Sequence, residues 1–132
     1  MAGKIVADQL EHSTAGSLDT QFVVNGSAKA WNRFTGSSVP TLLDSFNNST
    51  ATDNGSGDYT FAFTNNMSNA NYAPDCGGGR DPAAASTDAR VQNPDQITTS
   101  NYVFNNSYLD ANAHTVYIDA GIGLSTVHGD LA

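Results

Sequence analysis

Thr52-Asp53-Asn54-Gly55-Ser56-Gly57-Asp58-Tyr59-Thr60-Phe61-Ala62-Phe63-Thr64 is the stretch that decides the fold. Its first half, Thr52 to Gly57, is built from residues that tolerate positive φ and reads as a loop. Its second half, Asp58 to Thr64, alternates strictly, so that Tyr59, Phe61 and Phe63 share one face and small residues the other. A strand with one aromatic face is a half-buried strand of an antiparallel sheet.

Outward from this element, the rest of the chain repeats the same idiom of short strands and polar turns. Phe22-Val23-Val24 runs into Asn25-Gly26, a two-residue hairpin signal, and then into Ala28 to Phe34. In that second run Ala28, Ala30, Asn32 and Phe34 share one face and Lys29, Trp31 and Arg33 the other, with either face able to be the buried one. A third strand is expected from Thr41 to Asn47. Further short strands are expected at Arg90–Gln92, Gln96–Thr99, Asn101–Phe104, His114–Asp119 and Ser125–Leu131. Residues 65–72 are too short and Asn-rich for more than a single helical turn. Residues 73–89, with Pro74, Cys76-Gly77-Gly78-Gly79 and Pro82, lose all periodicity and read as a long surface excursion. Residues 1–21 show no period and read as an extended N-terminal attachment arm. The expected architecture is therefore all-β: an antiparallel β-sandwich or jelly-roll-like domain over 22–132, preceded by that arm.

Composition narrows the function classes. The 132 residues carry a formal net charge of −8, with Lys and Arg numbering five in all. That charge offers no footprint for a phosphate backbone, so no nucleic-acid partner is expected. Charged residues are 14% of the chain, and its polarity comes from Asn, Ser, Thr, Gly and Asp, the residues of turns. The start has no apolar signal-peptide run and no stretch is long enough to span a bilayer, so a cytoplasmically made, soluble protein without membrane insertion is the expectation. Cys76 is the single cysteine, which rules out an intrachain disulfide.

Candidate chemistry is sparse. His12, His114 and His128 lack a second His or a Cys at ligand spacing, no Gly-x-Ser-x-Gly elbow is present, and no pair of carboxylates is singled out by spacing. The chain is expected to be no enzyme, with no catalytic residue and no cofactor. Asp53, Asn54 and Asp58 bring hard oxygen donors to one loop, as Ca²⁺ prefers, but the twelve-residue frame and its bidentate Glu are missing. A metal-free connecting turn is the expectation there. Trp31, Tyr72, Tyr102 and Tyr108, flanked by short polar side chains, are the candidates for stacking on a sugar.

Five blocks carry a likeness: Val24-Asn25-Gly26-Ser27-Ala28-Lys29-Ala30-Trp31, Asp44-Ser45-Phe46-Asn47, Thr52 to Thr60, Asn69-Ala70-Asn71-Tyr72, and His128-Gly129-Asp130-Leu131-Ala132. In this order they resemble short tail-fibre-like virion surface proteins of tailed bacteriophages, many of them marine. The likeness is weakest from Pro74 to Arg90, and Asn32-Arg33-Phe34-Thr35-Gly36 departs from the Asn-Phe-Asn-Gly-Thr-like stretch usual there. It implies a structural protein on the virion surface, a head decoration, spike or tail-fibre-like module. The implied partners are its own copies in a homotrimer and the other capsid or tail proteins, and the implied alternative is a knob that binds a host receptor or surface glycan. It transfers no catalytic residue.

Overall fold

The computed structural model describes residues 3, 5–36, 39–79 and 91–132. In chain order the elements are β1 (Gln9–His12), β2 (Gly16–Asp19), α1 (Thr20–Gly26), β3 (Ala30–Thr35), β4 (Thr41–Phe46), β5 (Asn48–Gly55), β6 (Asp58–Phe63), β7 (Ala73–Gly79), β8 (Val91–Asp95), β9 (Asn101–Leu109), β10 (Thr115–Tyr117) and β11 (Ile122–His128). All pairings are antiparallel. One sheet has the order β4-β3-β11-β7, and the other runs β10-β9-β6-β5 with β8 also on β9. The chain is thus an all-β, sandwich-like structure.

The aromatic strand lies at its centre. Tyr59, Phe61 and Phe63 are buried on β6, as their alternation predicts, and Tyr102 and Phe104 of β9 continue the same face. Phe34 of β3 reaches across from the other sheet, its ring centroid 4.7 Å from Phe61, 5.2 Å from Tyr59 and 5.3 Å from Phe104, all edge-on. Edge-to-face pairs of this kind add about 0.5–1.5 kcal/mol each beyond area burial. Gly123 of β11 lies opposite Phe34, where any Cβ would collide with the ring. On β3, Ala30, Asn32 and Phe34 are the inward set, which decides the face the sequence left open.

A buried polar trio crosses the core beside the aromatics. The Asn32 amide donates to the Tyr102 hydroxyl at 3.0 Å, and that hydroxyl also bonds Ser125 of β11. The sheets are further joined at a corner: Asn47, at φ 56, sits between β4 and β5 and lets the chain change sheets. Its side chain bonds Lys29 O at 3.1 Å, Asn65 O at 3.0 Å and Asn65 N at 2.7 Å, which holds the left-handed conformation Asn tolerates better than most residues.

Several expected elements are corrected. Phe22-Val23-Val24 is no strand, and Asn25-Gly26 is no hairpin: they end the helix α1, Ser27 N bonding Val23 O at 3.1 Å. A hairpin there would need an open edge on β3, but β4 takes one edge and β11 the other. Lys29 instead places its ammonium on Val24 O and Ser27 O, where a cation suits the carbonyl end of a helix. Within the segment read as an extended arm, β1 and β2 form a hairpin.

The loop from Thr52 is strand β5 as far as Gly55, leaving Ser56-Gly57 as the turn, and Gly55 (φ 138) and Gly57 (φ 69) take the positive φ expected of it. The excursion from Ala73 begins as a strand, β7, paired along β11. The rest of that excursion, residues 80–89, and Arg90, the first residue of the strand expected at Arg90–Gln92, lie outside the described residues. Gln96–Thr99 is irregular rather than strand, β9 extends five residues beyond Phe104 to Leu109, and the closing strand runs from Ile122 to His128 rather than from Ser125 to Leu131.

Candidate functional site

Of the four candidate stacking aromatics, two belong to the core. Tyr102 is fully buried between the sheets, and its hydroxyl is spent on Asn32 and Ser125. Tyr72 packs edge-on against Phe63, at 5.6 Å, and donates to Thr98 O or Asn101 O, both at 2.8 Å. Burial pushes the Tyr72 hydroxyl up to about 12, and pushes Tyr102 and Tyr59 higher still. Neither the Tyr72 nor the Tyr102 ring can meet a ligand. Tyr108 is half-buried on β9 opposite Val116. Trp31 is half-exposed on the outer face of the four-stranded sheet, opposite Phe46 of β4 and Thr126 of β11.

Tyr59 illustrates why the β-strand aromatics are structural. Its hydroxyl donates to Gly36 O at 2.6 Å, lies 3.0 Å from Asp119 Oδ1, and accepts the Ala120 N–H at 3.1 Å. Asp119 Oδ1 also accepts the Gly57 N–H at 2.9 Å, so one carboxylate ties the β5–β6 turn to the segment after β10.

The loop residues singled out for Ca²⁺ are engaged with one another. Asp53 Oδ1 accepts the Gly55 N–H at 2.9 Å, a local turn bond. Asn54 is the extra residue of a β-bulge, and its amide reaches Asp58 Oδ1 at 3.1 Å and Thr60 Oγ1 at 2.8 Å. Asp53, opposite Tyr59, and Asp58, opposite Asn105, point to opposite faces of the sheet, so the three residues do not converge. Among the described residues no group of three or more His, Cys, Asp or Glu side chains converges elsewhere either. Cys76 of β7 packs against the core opposite Ser125, and burial pushes its thiol up to about 12. His114 lies 3.4 Å from Asp110 Oδ2; that carboxylate is held below its usual range by the backbone N–H groups of His114 and Asn112.

Two surfaces among the described residues are considered as places to meet a partner. One is the N-terminal segment, where Ile5, Val6, Leu10, Val23 and Val24 line an apolar hollow of about 390 Å³. No residue of α1 is buried. The second is the outer face of the five-stranded sheet. At Asn105, β9 pairs with β6 on one edge and β8 on the other, and at Ser107 with β8 and β10, so β6 and β10 follow one another along the same edge. This layout gathers Asn54, Ser56, Asp58, Asp95, Asn105 and Tyr117 around a depression of about 330 Å³. Sequence reasoning passed over Tyr117, although Val116 and Ile118 on either side of it already give the alternation of a strand with one outward Tyr.

Among the described residues no helix is long and apolar enough to cross a membrane. No protein-family model, no curated protein and no solved structure matches this chain.

Proposed function

We propose that the chain is a non-enzymatic structural protein on the exterior of a tailed-bacteriophage virion, a head decoration, spike or tail-fibre-like module made in the host cytoplasm. It works by assembly: the segment before the sandwich attaches to its own copies, as a homotrimer, and to neighbouring virion proteins, while the polar turns face outward.

The observation that carries this reading is the uncovered apolar surface before β3. Ile5 is 90% exposed, Val6 81%, Phe22 60% and Val24 59%. A monomer rarely leaves so many large apolar side chains together in water. Fully burying a side chain of this kind is worth about 1.5–3 kcal/mol, so covering these four yields a gross gain of about 4–9 kcal/mol before the costs of association. The block-by-block resemblance supplies the virion setting.

Immunogold labelling of purified virions with antibody to this chain tests the setting, and light scattering of the full chain tests the assembly. Label on the particle exterior and a trimeric mass are the expected results. Phe22→Asp with Val24→Asp should leave the thermal melt of the sandwich in place and release monomers. Unlabelled particles would overturn the virion role, and a monomeric full chain at high concentration would overturn attachment through residues 5–24.

A further inference from the structure

We infer that Asn25 is a site of spontaneous covalent modification, a deamidation gated by the last turn of α1, and that Asn54, in the same Asn-Gly setting, is shielded from it. The inference stands on α1 and β5 and not on the assembly reading.

Asn-Gly is the pair in which a side-chain amide is most open to attack by the next backbone nitrogen. Glycine puts no Cβ beside that nitrogen and reaches the backbone angles that closing a five-membered ring requires. The Gly26 nitrogen, once its proton is lost to hydroxide, bonds to Cγ of Asn25. The Cγ–Nδ2 bond breaks, and Nδ2 leaves as ammonia with a proton taken from water, which regenerates the hydroxide. Water then opens the succinimide at either carbonyl, leaving an aspartyl or an isoaspartyl residue. Water is the only co-reactant consumed.

The chain holds two such pairs, Asn25-Gly26 and Asn54-Gly55. All four residues are exposed, so exposure does not separate them. Hydrogen bonds do. The Asn54 amide donates to Asp58 Oδ1 at 3.1 Å and to Thr60 Oγ1 at 2.8 Å, and the Gly55 N–H, which would have to attack, donates to Asp53 Oδ1 at 2.9 Å. All three bonds must break before a ring can close, and the pair is built into the β5–β6 ladder. The Asn25 side chain makes no hydrogen bond among the described residues.

What restrains Asn25 is the helix, which turns each N–H onto the carbonyl four residues back. With seven residues, no side-chain N-cap bond and no buried residue, α1 has little to oppose fraying. Its last turn is held by the Ser27 N–H on Val23 O at 3.1 Å and by the Lys29 ammonium, which bonds Val24 O, Ser27 O and Ser27 Oγ. Lys29 is itself anchored to the sandwich, its N–H donating to Val127 O at 2.7 Å. It is therefore the latch that sets how often the Gly26 nitrogen is free to attack.

The product does not re-form the same turn. A carboxylate at the carbonyl end of a helix is repelled by the helix dipole, and an isoaspartyl linkage adds a backbone atom that breaks the helical spacing. Val23 and Val24 line the apolar hollow with Ile5, Val6 and Leu10, so the modification loosens that surface and leaves the sandwich intact.

The test incubates the folded full chain in mildly alkaline buffer and follows the tryptic peptides 5–29 and 34–80, which separate the two pairs, by mass spectrometry and isoaspartyl methylation. Asn25 should convert at least about tenfold faster than Asn54, and the two rates should converge in guanidinium. Gly26→Ala, whose Cβ meets nothing within 4 Å, should slow conversion at Asn25 at least about tenfold with the thermal melt unchanged. Lys29→Met should speed it severalfold while leaving Asn54 as it was, which separates release of the turn from global unfolding. In the aged parent, amide NMR should show shifts in α1 and the hollow and none in β6 or β9. Equal rates at Asn25 and Asn54 in the folded chain, an Asn25 that stays intact there while the guanidinium-unfolded chain reacts, or a Lys29→Met rate no higher than the parent's would overturn the inference. None of these outcomes bears on virion labelling.

Discussion

Replacing Gly57 by Ala should be among the most damaging single-methyl changes in the chain, and Gly55 two residues earlier provides its control. Both glycines have positive φ, 69° at Gly57 and 138° at Gly55, so each substitution carries a conformational cost. For an L-residue that cost is about 1–2 kcal/mol in the left-handed region and about 1–3 kcal/mol in the region Gly55 occupies. The surroundings separate the two sites. A Cβ at Gly55 meets nothing within 4 Å, whereas at Gly57 it would collide with Asn106 O and lie 2.7 Å from both Ile118 N and Ile118 O, where ordinary contact starts at 3.4 Å.

All of those atoms are backbone, and they belong to the bonds that hold the turn. Asn106 N donates to Gly57 O at 2.7 Å and Ile118 N donates to Asn106 O at 3.1 Å. Making room means opening this junction, at about 1 kcal/mol for each hydrogen bond lost. Gly57→Ala should therefore cost about 3–4 kcal/mol in all, and Gly55→Ala about 1–3 kcal/mol from conformation alone. For a domain of this size the first translates to a fall in Tm of about 10–15 °C. Urea denaturation followed by Trp31 fluorescence, together with calorimetry, measures both variants. Equal losses for the two, or a Gly57→Ala loss below about 1 kcal/mol, would refute the claim that backbone crowding fixes this turn.

Two further outcomes follow from buried ionisable groups. Burial raises the hydroxyls of Tyr59, Tyr72 and Tyr102 above the ordinary value of 10.0, Tyr72 to about 12, so the folded state holds these protons longer than the unfolded chain does. The stability they contribute is complete below pH 10 and falls as pH rises through 10 to 12. Tm measured by circular dichroism should hold up to about pH 9.5 and then drop steeply; a flat Tm to pH 12 would contradict the burial of these hydroxyls. The Cys76 thiol, raised by burial and by the neighbouring Asp75, should react with Ellman's reagent at pH 8 at least tenfold more slowly in the folded chain than in guanidinium, since only the thiolate attacks. Equal rates would place Cys76 on the surface.

The central strand was legible from residues 58–64 alone, because an alternation of period two and a glycine turn are local properties that any half-buried strand must satisfy. The same holds for the all-β class, for the absence of a helix over 65–72, and for the positive φ of the two glycines. The fate of Asn25-Gly26 was not local. A two-residue turn signal makes a hairpin only when both flanking strands have open edges, and β3 is filled on one side by β4, the strand that follows it, and on the other by β11, which begins at Ile122. Strand β7 carried no pattern to read, since Gly77 and Gly78 lack the side chains that would show one. Its pairing with β11 is visible only in space, with Leu124 lying where a Cβ of Gly77 would be.

Which tyrosines turn inward was not local either. Tyr72, Tyr102 and Tyr108 each follow a short polar residue, whereas Tyr117 stands between Val116 and Ile118, which is the one local sign of an outward ring. Cross-strand register, set by β9 pairing with three other strands, sends Tyr102 into the core and leaves Tyr117 in water beside Asp58 and Asn105. What the sequence by itself determined was the all-β class and the element formed where alternation is strict, as over residues 58–63. The tertiary structure decided which face of each element met the core, because that depends on neighbours whose identity no local pattern encodes.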